Sequence, residues 1–152
     1  MIAYVDSSTL ARAYLVDEPG HEHAAALLTN ADVALVTGTW TRIEVSGALV
    51  RAARAGRRPV DPGPLLALLD ADVGPDGPVT VLAADQQAVE TAALGLVRAH
   101  GIRARDVWHL AVARLTLPAL AEPGEALAFL TGDGAQRDVA HSLGLVTELS
   151  SR

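Results

Sequence analysis

With 152 residues, of which 50% are hydrophobic, the chain is long enough for one packed domain and too short for two. It has no cysteine, which excludes disulfides, thiolate metal sites and cysteine nucleophiles. A net charge of −6 argues at first against a nucleic-acid partner, but a cation-binding site itself needs clustered acids.

Aromatic residues make up only 3%, so the core must be built from Ala, Leu and Val, and a homodimer that buries a further apolar face is expected. All 12 basic residues are arginine, whose planar fork suits phosphate recognition. The start, MIAYVD, shows no basic leader, and no run approaches the about 18 apolar residues of a membrane span. A cytoplasmic location is the expectation.

In chain order, residues 2–5 are a short apolar run suited to a buried strand. Asp6, Ser7 and Ser8 then open a helix, with Ser7 or Ser8 expected as its N-cap, and Pro19-Gly20 ends that region. Residues 21–28 form a second helix and 33–36 a second strand. Thr39 or Thr41 starts a third helix running to about Arg54, in which Trp40, Ile43, Gly47 and Val50 share a stripe. Gly56, Pro59, Pro62, Gly63 and Pro64 break the chain before a short helix over 64–72.

A third strand follows at 79–82, and Asp85 caps a long helix over 86–100 closed by Gly101. The next helix begins at Ala104 or Arg105 and is expected to end near Pro118. A fourth strand covers 126–130, a turn 132–134, a last helix 135–143 and an edge strand 145–147. Short apolar strands alternating with helices predict a mostly parallel sheet covered on both faces. The Gly/Pro segments read as surface loops within a single domain spanning 1–152.

Two acids, Asp6 and Asp133, follow apolar strands directly. Open parallel sheets place ligands at the carboxyl ends of their strands, so both belong to one edge of the molecule. Structurally, Asp6 could be a cap and Asp133 a turn former. Ser7 and Ser8 compete for the first cap, which leaves Asp6 available for chemistry. Glu44 lies within a helix near Arg42 and Arg51, and Asp106 opens an apolar helix whose positive end favours its charge.

Converging carboxylates repel one another unless a cation neutralises them. Hard ions such as Mg²⁺ take oxygen ligands, activate water and stabilise charge at phosphorus. No HExxH, Walker loop or GxGxxG competes with this chemistry. Asp138, five residues past Asp133, is a further acid of accessory rank. His109 lies three residues after Asp106 on one helix face and reads as a structural histidine near the acids.

The segments Tyr4-Val5-Asp6-Ser7-Ser8-Thr9, Arg42-Ile43-Glu44, Arg103-Ala104-Arg105-Asp106-Val107-Trp108-His109 and Phe129-Leu130-Thr131-Gly132-Asp133 occur in an order that resembles PIN-domain proteins, specifically VapC-type ribonuclease toxins of type II toxin–antitoxin pairs. The resemblance covers nearly the whole chain, with Trp108 and the Gly/Pro-rich 59–78 stretch as departures. It implies a PIN-like three-layer α/β sandwich. It also implies that Asp6, Glu44, Asp106 and Asp133 hold Mg²⁺ or Mn²⁺ for endonucleolytic RNA hydrolysis, leaving 5′-phosphate and 3′-hydroxyl ends.

By the same resemblance Asp6 and Asp106 are the core ligands, Thr131 supports the acids, and an antitoxin protein is the partner. Two arginine groups, Arg51, Arg54, Arg57 and Arg58, and Arg98, Arg103 and Arg105, could border an RNA cleft. Arg12 and Arg105, beside Asp6 and Asp106, are the candidates for phosphate contacts. The alternatives are an RNA-processing PIN-type nuclease outside a toxin pair and a noncatalytic module that keeps the fold. A phosphoacceptor role for Asp6 fits poorly, because no second acid pairs with it in an Asp-x-Asp motif and no lysine exists.

Overall fold

Alternation along the first strand sets the architecture. In this computed structural model, which describes residues 1–57 and 61–149, β1 (Ile2–Val5) is fully buried. Its Ile2 and Tyr4 enter one hydrophobic core while Ala3 and Val5 enter another, one on each face of the sheet. Arg58 and Pro59, counted above in a basic group and a breaker segment, lie outside the described residues.

The sheet is four-stranded in the order β3-β2-β1-β4, with β2 at Ala34–Gly38, β3 at Val79–Leu82 and β4 at Leu127–Leu130. All three pairings are parallel. Helices α1 (Ser7–Tyr14), α2 (His21–Leu27), α3 (Thr39–Arg54) and α4 (Gly63–Asp72) share the core that holds Ala3, Val5, Ala128 and Leu130. Helices α5 (Gln86–His100), α6 (Ala104–Leu120) and α7 (Gly134–Ser142) cover the other face, against Tyr4, Val36 and Phe129. The result is a three-layer α/β sandwich with a parallel central sheet.

Several local expectations change. The cap of α1 is Asp6 and neither serine, because the Asp6 N–H donates to Leu130 O at 3.0 Å and keeps this residue in extended, sheet-like geometry. The helix therefore starts at Ser7, earlier than a serine cap would allow, with the Asp6 side chain accepting from Thr9 N–H at 3.0 Å. The α3 stripe of Trp40 and Ile43 points outward, with Ile43 72% exposed, while Thr41, Val45, Leu49 and Ala52 face the core.

Pro118 lies inside α6, which continues to Leu120; its missing N–H leaves the Arg114 carbonyl, on an exposed residue, without its helix bond. Residues 145–147 contribute one parallel bridge, Ala128 to Val146, at the β4 edge. Among the described residues no helix is long and apolar enough to cross a membrane.

Candidate active site

β1 delivers Asp6 to the carboxyl end of the central sheet, where it is only 3% exposed. One carboxylate oxygen accepts from Thr9 N–H and from Ser8 Oγ, the latter at 2.9 Å. The other accepts from Ser8 Oγ and Thr131 Oγ1, each at 3.1 Å. Desolvation by burial raises the Asp6 pKa above the usual carboxylate range, and these hydrogen bonds and nearby His109 offset it only in part. A cation is the natural complement of a carboxylate so placed.

Thr131, just after β4, joins this acid to the next element. Its hydroxyl lies 2.5 Å from Gln136 Oε1 and accepts the Asp133 N–H at 3.0 Å. Asp133 in turn caps α7, its carboxylate accepting from Gln136 N–H at 2.9 Å. Gln136 is fully buried and donates through Nε2 to the Asp106 carbonyl at 3.0 Å. One side chain thus ties the β4 turn to the start of α6.

Asp106 occupies the first turn of α6 and is 7% exposed. Arg105 Nε stands 3.6 Å from its carboxylate and 3.5 Å from that of Glu44, so one guanidinium already bridges two acids. Arg105 is therefore turned toward the carboxylates. Arg42, the expected neighbour of Glu44, pairs with Asp70 instead, and Arg57 pairs with Asp17 and Glu18.

Glu44 also meets His109, whose Nε2 lies 2.7 Å from Oε2, while His109 Nδ1 lies 2.8 Å from the Tyr4 hydroxyl. For Glu44, burial pushes the pKa upward, but hydrogen bonds from His109 and Ser7, together with the charge of Arg105, outweigh it and hold the carboxyl below its ordinary value. An ionised carboxylate only accepts, so Nε2 carries a proton. Desolvation raises the Tyr4 pKa, so the phenol keeps its hydrogen, and its oxygen shares a hydrogen bond with Nδ1 on the far side of the ring.

Gly38 leaves room for this relay, since a Cβ there would stand 2.6 Å from the Tyr4 hydroxyl. Gly38→Ala will therefore destabilise the fold by about 1–3 kcal/mol in denaturant titrations, as overpacking in a filled core does. Unchanged stability would show that the tyrosine yields without cost.

No protein-family model matches the chain, and no curated protein matches it. Among solved structures the chain is similar to one in VapBC-1 from nontypeable Haemophilus influenzae, at 15% identity and a TM-score of 0.55, covering 97% of each chain. The fold is PIN-like.

Within this PIN-like fold, Asp6, Thr131 and Asp133 sit at the ends of the adjacent strands β1 and β4, and Gln136 bonds to the Asp106 backbone. Glu44, Arg105, Asp106 and His109 form the flanking group. Asp138 is exposed and shares no hydrogen bond or ion pair with either network among the described residues. The donor chemistry fits a hard divalent ion, because every acid presents oxygen and Asp6 is desolvated. Among the described residues no three His, Asp or Glu side chains come close enough to form a ready metal cage. Mg²⁺ does not require one, since it is commonly held by one or two carboxylates plus water and substrate phosphate.

The sequence reading missed Tyr4, Ser8 and Gln136. A polar residue three positions after the acid that caps α7 was the available signal for Gln136. It also missed the stack of Trp40 on Trp108, with ring centroids 4.3 Å apart and planes 6° apart. This pair pins the first turn of α3 to the second turn of α6, the helices that carry Glu44 and Asp106.

Proposed function

We propose that the protein is a Mg²⁺- or Mn²⁺-dependent endoribonuclease of the VapC type, the toxin of a toxin–antitoxin pair. The supporting observation is the buried Asp6 carboxylate at the end of a central parallel strand, held by Ser8, Thr9 and Thr131. The sequence resemblance and the fold shared with a VapBC-1 chain point the same way.

Asp6 and Asp106 would hold the ion, with Glu44 and Asp133 binding or positioning metal and water. Such an ion lowers the pKa of water and offsets charge developing at phosphorus. Ser8 and Thr131 fix the Asp6 oxygens. His109 donates to Glu44 and thereby keeps that carboxylate ionised and oriented, with Tyr4 holding the ring from behind. Arg105, more than half exposed, balances Glu44 and Asp106 and must shift aside or share them when a metal ion enters.

The test is hydrolysis of a structured RNA by purified protein with Mn²⁺, with and without excess EDTA. Cleavage that persists in EDTA excludes the metal mechanism. Because the Asp6 pKa is raised, protonation competes with metal above the ordinary carboxylate range, and Mn²⁺ affinity will fall as pH drops through that window. Calorimetry between neutral and mildly acidic pH reads this, and a flat profile excludes Asp6 as a ligand. A small cognate protein encoded nearby will copurify and suppress cleavage. A neighbour that neither binds nor inhibits removes the toxin assignment and leaves an RNA-processing nuclease.

A further inference from the structure

The turn after β4 carries a second charged feature that the acidic site does not use. A cavity of about 320 Å³ opens beside Thr131, with Arg12 and Arg137 in its walls and His23 and Glu148 also lining it. The Arg12 guanidinium lies over Gly132 so closely that any Cβ at that position would overlap it. Arg137 Nη2 approaches the Thr131 carbonyl at 3.5 Å, and its Nε is buried with no hydrogen-bond partner among the described residues.

Neither guanidinium has an acid within ion-pair distance among the described residues, Glu148 included. Arg42, Arg57 and Arg105 have acidic partners, and what sets Arg137 apart from the other arginines without one is that its Nε is also buried and unbonded among the described residues. A buried N–H without an acceptor carries a desolvation penalty that an oxyanion cancels.

The cavity is also coupled to the acids. Gly132 N–H donates to Ser8 Oγ, which donates to Asp6, and Thr131, whose carbonyl Arg137 approaches, meets Asp6 through its hydroxyl. The two residues that position the arginines thus also hold the buried carboxylate. An RNA strand approaching a group of carboxylates needs cations next to them, and guanidinium forks match phosphate oxygens.

We propose that this cavity is a phosphate subsite, in which Arg12 and Arg137 clamp a phosphodiester group flanking the one at the acidic site. The assignment rests on the nuclease reading for its substrate, but the anion site itself can be tested without catalysis. His23 at the cavity wall and the Thr131 side of the turn frame the same group.

The experiment uses the full chain in EDTA, so that binding is read without cleavage. Anisotropy of a fluorescein-labelled oligoribonucleotide is measured across salt concentrations for wild type, Arg12→Gln, Arg137→Gln and Arg114→Gln. Arg114 lies exposed on α6 and removes the same charge away from the cavity. Each cavity variant should bind about 5–10-fold more weakly, with the salt slope reduced by roughly 0.7 for the lost phosphate contact, while R114Q follows wild type. Inorganic phosphate added to wild type should shift the Thr131, Gly132 and His23 amide resonances, which keeps the test valid if a variant misfolds.

Cavity variants that bind RNA with the slope of R114Q, and no amide shifts with phosphate, overturn the proposal even if wild type cleaves RNA. Phosphate shifts without any effect of R12Q or R137Q on RNA reduce the cavity to a free-anion site and overturn the RNA assignment. Unchanged RNA binding with loss of the copurifying partner assigns the cavity to an acidic protein segment, which also overturns it. Arginine-dependent RNA binding by a protein that never cleaves RNA supports the subsite and rejects the nuclease reading instead.

Discussion

Replacing Asp106 by Asn will lower RNA hydrolysis at least ~100-fold while leaving the protein folded. The carboxylate is almost completely buried in the first turn of α6. Asn keeps the size, and the Asp106 carbonyl that accepts from Gln136 belongs to the backbone, so the tie to the β4 turn survives. The lost first-turn charge costs about 0.3–1 kcal/mol. Relief of repulsion with Glu44 returns part of it, and the long contact to Arg105 contributes little.

Stability should therefore move by less than about 1 kcal/mol, while a strong oxygen ligand disappears. Turnover, circular dichroism and Mn²⁺ affinity measured on the same preparation separate these effects. A folded D106N that binds metal and cleaves RNA at the wild-type rate removes Asp106 from the site. Loss of cleavage with unchanged metal affinity would make it a substrate-orienting group in place of a ligand.

The sheet and its flanking helices were legible because each strand is a short apolar run stopped by a turn residue. β3 and α5 fall where Val79, Leu82, Asp85 and Gly101 indicate, since a cap and a left-handed glycine fix a helix at both ends. The orientation of α3 was not legible. Trp40, Ile43 and Val50 form an apolar stripe, but so do Val45, Leu49 and Ala52, and periodicity does not say which faces the sheet. A tertiary contact decides it: Thr41 lies 2.6 Å from Thr37, which itself donates to Val5 O, and this turns the second stripe inward.

The candidate site was legible to a similar depth. Asp6, Asp106 and Asp133 stand at recognisable boundaries between strands, turns and helices, whereas Glu44 lies inside α3. Their partners are joined across the sheet, as His109 is to Glu44 and Tyr4, and such pairings leave no local signature. Arg105 lies beside Asp106 in sequence and is a candidate for a phosphate contact; the first turn of α6 brings its Nε to 3.5 Å from Glu44 while the side chain stays more than half exposed. Arg137 is separated from Asp133 by three residues of capped helix, and only the fold brings it to the cavity that Arg12 shares.

Asp6→Asn will move stability and activity in opposite directions. In the folded protein the Asp6 carboxyl is buried and its pKa is raised, so ionising it costs more there than in the unfolded chain. Its folded-state contribution is fully present below the unfolded carboxylate pKa and is lost as pH rises through the folded value. At neutral pH without metal the charge thus works against the fold. Asn removes that charge and remains a good N-cap, so its oxygen can still accept from Thr9 N–H. Its amide can donate to the Ser8 and Thr131 hydroxyls, with the Thr131 proton directed to Gln136. In EDTA at pH 7 the variant should melt above wild type. Adding Mn²⁺ to about 100 times its Kd should raise the wild-type Tm by roughly 5–10 °C, as about 2.7 kcal/mol of linkage does at this size. D6N should show almost none of that rise and lose at least ~100-fold in RNA hydrolysis. A variant that melts below wild type in EDTA would show that the hydrogen bonds to the carboxylate outweigh its desolvation. A full Mn²⁺-induced rise in D6N would place the ion elsewhere on the chain.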